Sequence, residues 1–197
     1  MFFITVLEGA RVSGNVSGRW TASSSPYTVT DDITIPSNEI LIIEPGVEII
    51  FTGLFSLFVE ENAILSAIGN EIDSISFYPQ DTSSGFGGIR LLNASDGCSL
   101  QYCRISNSKS SESYPNGGAL FIDNTDLTVT NCLISENSAL RNGGGIYAIN
   151  SSPTIRNNSF VNNAATNSGG AIYLSNFYSD ITENTIENNI AGFDGGG

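Results

Sequence analysis

Three consecutive segments of this chain repeat one pattern every 26 residues. "GGALFIDNTDLTVTNCLISEN" starts at Gly117, "GGGIYAINSSPTIRNNSFVNN" at Gly143 and "GGAIYLSNFYSDITENTIENN" at Gly169; a further "GGG" opens at Gly195. The units 117–142, 143–168 and 169–194 keep the period without slippage. Self-similarity at such a period means that each unit is one structural turn that buries its apolar face by stacking on its neighbours.

Aligning the units shows which positions face inward. Leu120, Ile146 and Ile172 share a column, followed two places on by Ile122, Ala148 and Leu174. Val129, Ile155 and Ile181 form another apolar column, as do Ile134, Phe160 and Ile186, and then Ala139, Ala165 and Ala191. Each unit holds three short apolar segments rich in β-branched residues, separated by turn-forming Asn, Ser and Gly. No segment sustains a 3.6-residue period. A leucine-rich repeat of similar length would need repeated leucines and a helical or tight-turn return, and neither is present. Three strands per turn, each pairing with its equivalent one turn later, make a parallel β-helix. The handedness rule for parallel crossovers makes it right-handed.

Equivalent side chains then stack about every 4.8 Å. At that spacing the column Asn137, Asn163 and Asn189 is expected to form a buried hydrogen-bonded ladder, as stacked amides do. Asn158 and Asn184 are expected to form a second one. The pattern continues toward the N-terminus with looser spacing. Ile33/Ile35, Leu57/Val59 and Ile89/Leu91 precede Leu120/Ile122 on the first face. Leu41/Ile43, Leu65/Ala67 and Leu100 lead to Val129 on the second; Ile49/Phe51, Ile75/Phe77 and Ile105 lead to Ile134 on the third. That predicts about six coils from residue 27 onward, with 1–26 as a lead-in or cap. Two first-face spacings are long, 32 residues from Leu57 to Ile89 and 31 from Ile89 to Leu120. The surplus lies in 79–87 and 107–116, at one corner, so these loops are expected side by side.

Composition narrows the function classes. The formal charge is −13, from 20 acidic and 7 basic residues. Such a surface repels phosphate backbones, so nucleic acid is excluded as a partner, and it opposes uronic-acid polymers unless cations bridge the contact. The chain has no histidine, which removes the commonest general base and metal ligand. No apolar run is long enough to span a bilayer as a helix. "MFFITVL" lacks a basic start and a full apolar core, so it is at best a clipped remnant of a signal peptide.

The "GGAL", "GGGI" and "GGAI" tetrads with "FVNN" (160–163) resemble the repeats of polymorphic outer-membrane proteins, GGA plus an aliphatic residue and F-x-x-N, over residues 117–197. "ISEN" and "IENN" stand where other units would carry the phenylalanine form. The stretch "SPYTVTDDITIPSNEILIIEPGVEIIF" (25–51) is similar to the opening module of secreted bacterial β-helix proteins shaped like pectate lyases, in which the Pro45–Gly46 pair turns the chain between coils. These resemblances imply a secreted or surface-displayed bacterial protein. They do not fix an activity, because the fold hosts lyases, epimerases, adhesins and spacers.

The position between the two inward residues of the first face carries Phe58, Arg90, Phe121, Tyr147 and Tyr173 on successive coils. An outward aromatic ladder of this kind is expected to offer flat faces to sugar rings, with phenol hydroxyls as polar handles and Arg90 as a cation–π or hydroxyl contact. Phe86, Lys109 and Tyr114, on the long loops, would wall it. Aromatic side chains also stack on strands simply to stabilise a sheet, and that alternative stays open. No catalytic residue, metal or cofactor is assigned. Arg90 between Glu60 and Asp123 is the only group on this face that approaches a lyase site, and Asp123 with Asp126 do not cluster as a hydrolase needs. Asp31/Asp32 and Glu60/Glu61 lack the spacing of a calcium loop. Cys103 and Cys132 share an inward column, at a Cα spacing that a disulfide tolerates, with Cys98 left alone. They stand either as a bridge or as small buried thiols.

The reading is an extracellular or cell-surface β-helix module for adhesion or glycan binding, non-catalytic. The alternatives are a polysaccharide lyase or hydrolase of this fold, or an inert stalk. The expected partner is a neutral glycan or a host or other cell-surface molecule, with further repeats or an anchor domain expected to follow Gly197.

Overall fold

The computed structural model describes residues 9–175 and 179–196, and it is an all-β parallel solenoid of about seven turns. Among the described residues only one 3-10 turn, Ala22–Ser24, interrupts the strands, and no helix is long and apolar enough to cross a membrane.

The first face stacks Leu57–Val59, Ile89–Leu92, Leu120–Asp123, Ile146–Ile149 and Ile172–Ser175 on the C-terminal half of Tyr27–Ile35. Every pairing is parallel, and Ile33, Leu57, Ile89, Leu120, Ile146 and Ile172 fall on one line. The second face is a seven-stranded sheet running from Gly18–Trp20 to Asp180–Thr182. The third face merges with the first into one 13-stranded sheet, because Tyr27–Ile35 pairs with Glu48–Phe51 through its first residues and with Leu57–Val59 through its last. Alternation in each strand sends one set of β-branched and aromatic side chains into a continuous core. Ile33, Leu65, Leu100, Val129, Ile134 and Phe160 are all fully buried there.

Three details depart from the sequence expectation. Arg11–Asn15 and Gly18–Trp20 pair in parallel with Tyr27–Ile35 and Ile40–Ile43, so among the described residues parallel stacking is already present at Arg11, ahead of residue 27. Sparse apolar signals (Val12, Val16, Trp20) in a Gly/Ser-rich stretch hide this coil. On the third face Ile49 pairs with Phe77, and Phe77 with Ile105, so the column skips Ile75. A two-residue slip keeps every side chain on its own side of the sheet, which is why alternation alone does not detect it. The alanine column forms a fourth short strand per turn, Ser138–Ala139, Ala164–Ala165 and Ile190–Ala191.

Corners are set by left-handed residues. Asn93, Asn124 and Asn150 take φ of 53°, 50° and 52° at the corner after the first face, and Asn131 and Asn157 take 54° and 57° after the second. Glu136, Asn162 and Asn188 do the same after the third. Asparagine tolerates this region better than other residues with a side chain, because its amide bonds locally. Here the amides link coils, as in Asn124 Nδ2 to Asn93 Oδ1 at 3.0 Å.

Candidate functional site

Directly after the left-handed residues Asn124, Glu136, Asn150, Asn157, Asn162, Glu183 and Asn188 comes a polar one, and these form the ladders. Asn137 Nδ2 donates to Asn163 Oδ1 (2.9 Å), and Asn163 Nδ2 to Asn189 Oδ1 (2.9 Å). The same amides donate to the backbone carbonyls of Ile105, Ile134 and Phe160. At the next corner Asn158 Nδ2 donates to Asn184 Oδ1 (3.0 Å) and to Val129 O (2.9 Å). A third ladder at the corner after the first face was not read from the sequence: Ala94 N–H donates to Thr125 Oγ1 and Thr125 N–H to Ser151 Oγ. The "NN" pairs at 157–158, 162–163 and 188–189 are its sequence counterpart at the other two corners: one amide turns the chain and the next enters the ladder.

On the first face the register places Phe58, Arg90, Phe121, Tyr147 and Tyr173 in one outward column. The rings are half-buried. Phe121 and Tyr147 stack with centroids 5.4 Å apart and planes 13° apart; Tyr147 and Tyr173 stack at 5.2 Å and 5°. Rings stacked along the solenoid axis cover one another's faces. What they present to solvent is edges and phenol hydroxyls, so the flat platform expected from the sequence is replaced by an edge-on ridge. Partial burial, with Tyr173 and Asp123 close by, pushes the Tyr147 phenol up from its ordinary value and keeps it a hydrogen-bond donor. Tyr114 reaches the ridge from its loop, its ring 5.4 Å from Phe58 and tilted by 58°.

Neither Arg90 nor Phe86 is open to solvent as expected: both are 0% exposed. Arg90 does point outward from the sheet, but the 107–116 loop roofs it. Its Nη1 donates to Asn116 O (3.0 Å) and to Gly117 O, and its Nη2 donates to Gly87 O. Its Nε has no acceptor. Burial pulls the guanidinium down to about 10, so it remains a cation at neutral pH. Glu60 and Asp123 are not its partners: Glu60 accepts from Ser37, and Asp123 from Asn150 Nδ2. Phe86 pairs with Ser108, whose N–H donates to Asn137 Oδ1, so Phe86 occupies the first rung of the inward column that later carries asparagine. It stacks on Phe51 at 4.4 Å and 19°. Lys109 Nζ donates to Ser83 O, tying the two long loops together at the shared corner.

Arg90 is therefore a clamp between the two loops. Replacing it with methionine removes the donors to three carbonyls, against relief of one buried charge, and is expected to cost about 2 kcal/mol. Limited proteolysis should then cut within 107–116 faster than in the parent protein. Equal cleavage rates would show that the loops hold themselves.

Beside the ridge, a surface groove of about 580 Å³ follows the corner after the first face, lined by Glu61, Asn93, Asp96, Asn124, Asp126 and Asn150 among others. Two of its carboxylates are engaged in coil-to-coil bonds: Asp96 Oδ1 accepts Asp126 N–H (2.9 Å) and Asp126 Oδ1 accepts Ser152 N–H (2.5 Å). Among the described residues no group of three His, Cys, Asp or Glu side chains is arranged to hold a metal ion.

Stacked parallel coils, corner amides and an outward aromatic ridge define a parallel β-solenoid. The family model for the right handed beta helix region matches residues 30–196, and the chain belongs to that family. Comparison with curated proteins and with solved structures gives no match.

Proposed function

We propose that the chain is a non-catalytic β-helix module, extracellular or on a bacterial cell surface, that binds neutral glycan or a surface molecule along its first face. The observation that carries this reading is the ridge of Phe121, Tyr147 and Tyr173, with successive ring centroids 5.4 and 5.2 Å apart. The coil repeat of about 4.8 Å along the axis is close to the length of one pyranose unit in an extended chain, so over these three rings successive sugars would meet successive rings. Tyr147 and Tyr173 supply hydroxyls, and the ring edges supply apolar contact. The net charge of −13 favours neutral over anionic polymers. Asp96 and Asp126 of the neighbouring groove already cap backbone N–H groups, which supports binding rather than turnover. The placement outside the cell rests on the resemblance of 25–51 and 117–197 to secreted and outer-membrane proteins. A second reading, an inert stalk, is favoured by one observation: the rings spend their faces on one another.

Replacing Phe121, Tyr147 and Tyr173 together with serine separates the two. The fold is expected to lose only the two stacked pairs, about 0.2–1 kcal/mol each. Retention on immobilised neutral polysaccharides should fall at least tenfold. Ile146→Ser is the matched control: an inward residue, fully buried, whose loss damages stability first. If the parent protein is retained on no neutral glycan, or the triple variant unfolds as readily as the control, the ridge is scaffolding and the stalk reading stands.

A further inference from the structure

We propose that Cys103 and Cys132 are a crosslinking site, forming a disulfide that locks two adjacent coils by exchange with a small-molecule or protein disulfide. The proposal is independent of the glycan reading. Cys103 opens the strand Cys103–Ser106, Cys132 immediately precedes Leu133–Ser135, and the pairing of Arg104 with Leu133 stacks the two cysteines one coil apart. Both are inward at the corner between the second and third faces, 1% and 3% exposed. Cys103 N–H donates to Cys132 Sγ at 3.4 Å. One coil spacing, about 4.8 Å, lies within the Cα range of a disulfide.

The ladder alone does not account for two thiols here. In the following coils the same column is Asn158 and Asn184, whose Oδ1 atoms accept Cys132 N–H and Asn158 N–H and whose Nδ2 atoms donate to Val129 O and Ile155 O. Cys132 imitates both bonds, accepting from Cys103 N–H and donating to Leu100 O at 3.4 Å. Sulfur is the weaker donor and acceptor, so asparagine would serve the ladder better at both positions. A bond between the two sulfurs supplies what an amide cannot. Cys98, the third thiol, sits apart at another corner, with Leu65 N–H donating to its Sγ, and serves as an internal control.

A groove of about 500 Å³, lined by Cys103, Cys132, Arg104, Asn131, Asn157 and Glu183 among others, gives an oxidant its approach. The Cys103 S–H and N–H stabilise a thiolate on Cys132 and draw that thiol down, while burial pushes the Cys103 thiol up. Cys132 is thus the first to react. Its thiolate attacks one sulfur of the incoming disulfide and releases the first thiolate, which takes up a proton. Cys103 then gives its proton to solvent and attacks Cys132 Sγ, expelling the second thiolate. Two cysteine thiols and one disulfide become one cystine and two free thiols.

The test is incubation of the full chain with oxidised glutathione, then denaturation, alkylation with iodoacetamide and peptide mapping by mass spectrometry. The expected map shows a Cys103–Cys132 linked peptide lighter by two hydrogens, with Cys98 alone alkylated, and dithiothreitol restoring three alkylated cysteines. The oxidised protein should also melt roughly 5 °C higher than the reduced one. Cys132→Asn, which carries the amide of the following coils, should fold normally and show no such rise. Three alkylated cysteines after oxidation, a glutathione adduct left unresolved on Cys132, a linked protein without the rise, or a rise that persists in Cys132→Asn would each overturn the proposal.

Discussion

Gly144→Ala is expected to destabilise the protein by about 4 kcal/mol, a large part of what holds a domain of this size together. The reason lies in how the glycine pairs are used. The first of each pair, Gly117, Gly143 and Gly169, has φ of 67°, 70° and 70°, a conformation other residues resist. The second faces a different constraint. A Cβ on Gly144 would stand 2.5 Å from Ala164 O, at the far end of its own unit, and closer still to Gly170 O of the next coil, both backbone atoms. Neither can swing aside as a side chain would. Two coils would have to part, stretching the Gly144 N–H to Gly169 O and Gly145 N–H to Gly170 O bonds, 3.0 and 3.2 Å. Gly145 gives the contrast. An ideal Cβ there would stand 2.6 Å from Ala171 O, yet Ala119 and Ala171 occupy the same position in the flanking coils, so the stack opens enough for a methyl group. Gly145→Ala should therefore cost about 1 kcal/mol or less. Urea unfolding reads both, as a lowered midpoint with unchanged slope. Equal costs at the two positions would refute close coil approach as the reason for the glycine pair.

What the sequence makes legible is set by repetition. Where the period holds, inward columns, their register and both asparagine ladders follow from the 26-residue offset alone, because stacking in register forces equivalent residues together. Where the period breaks, alternation still tells which side of a strand a residue leaves from, but not what covers that side. Arg90 leaves between Ile89 and Leu91 as expected and is nonetheless buried, since the 107–116 loop folds over it and the carbonyls of Asn116, Gly117 and Gly87 accept from its guanidinium. Phe86 sits in a stretch, "TSSGFGG", that reads as surface loop. Its place in the inward column shows only through its pairing with Ser108, a contact 22 residues away with no repeat to signal it. The ring geometry was hidden for another reason. Column membership fixes the spacing of Phe121, Tyr147 and Tyr173, whereas their near-parallel planes follow from side-chain torsions that only coordinates reveal. The further step, from ridge to ligand, therefore rests on which atoms remain exposed rather than on which residues are aromatic.

Asn163→Leu is the corresponding test of the interior. Asn163 is fully buried, and its Oδ1 accepts both Asn137 N–H (3.2 Å) and Asn137 Nδ2 (2.9 Å). Its Nδ2 donates to Ile134 O (2.8 Å) and to Asn189 Oδ1 (2.9 Å). Leucine matches the volume and adds apolar surface, so a purely hydrophobic account of the core predicts a gain. The hydrogen-bond account predicts a loss of about 3 kcal/mol, because Asn137 N–H is left buried without an acceptor and neighbouring amides lose a partner. Thr154→Leu, at a half-exposed outward position, should change stability by no more than about 0.5 kcal/mol. Asn163→Cys separates the terms further: a thiol at this position accepts and donates weakly, as Cys132 does in the adjacent ladder, and should recover part of the loss. Hydrogen exchange localises the effect, since the Asn137 amide should lose protection in Asn163→Leu while the Val129 amide, on the second face, follows only global stability. An Asn163→Leu protein as stable as the parent, with Asn137 still protected, would make the column a set of well-packed fillers rather than the polar spine that couples one coil to the next.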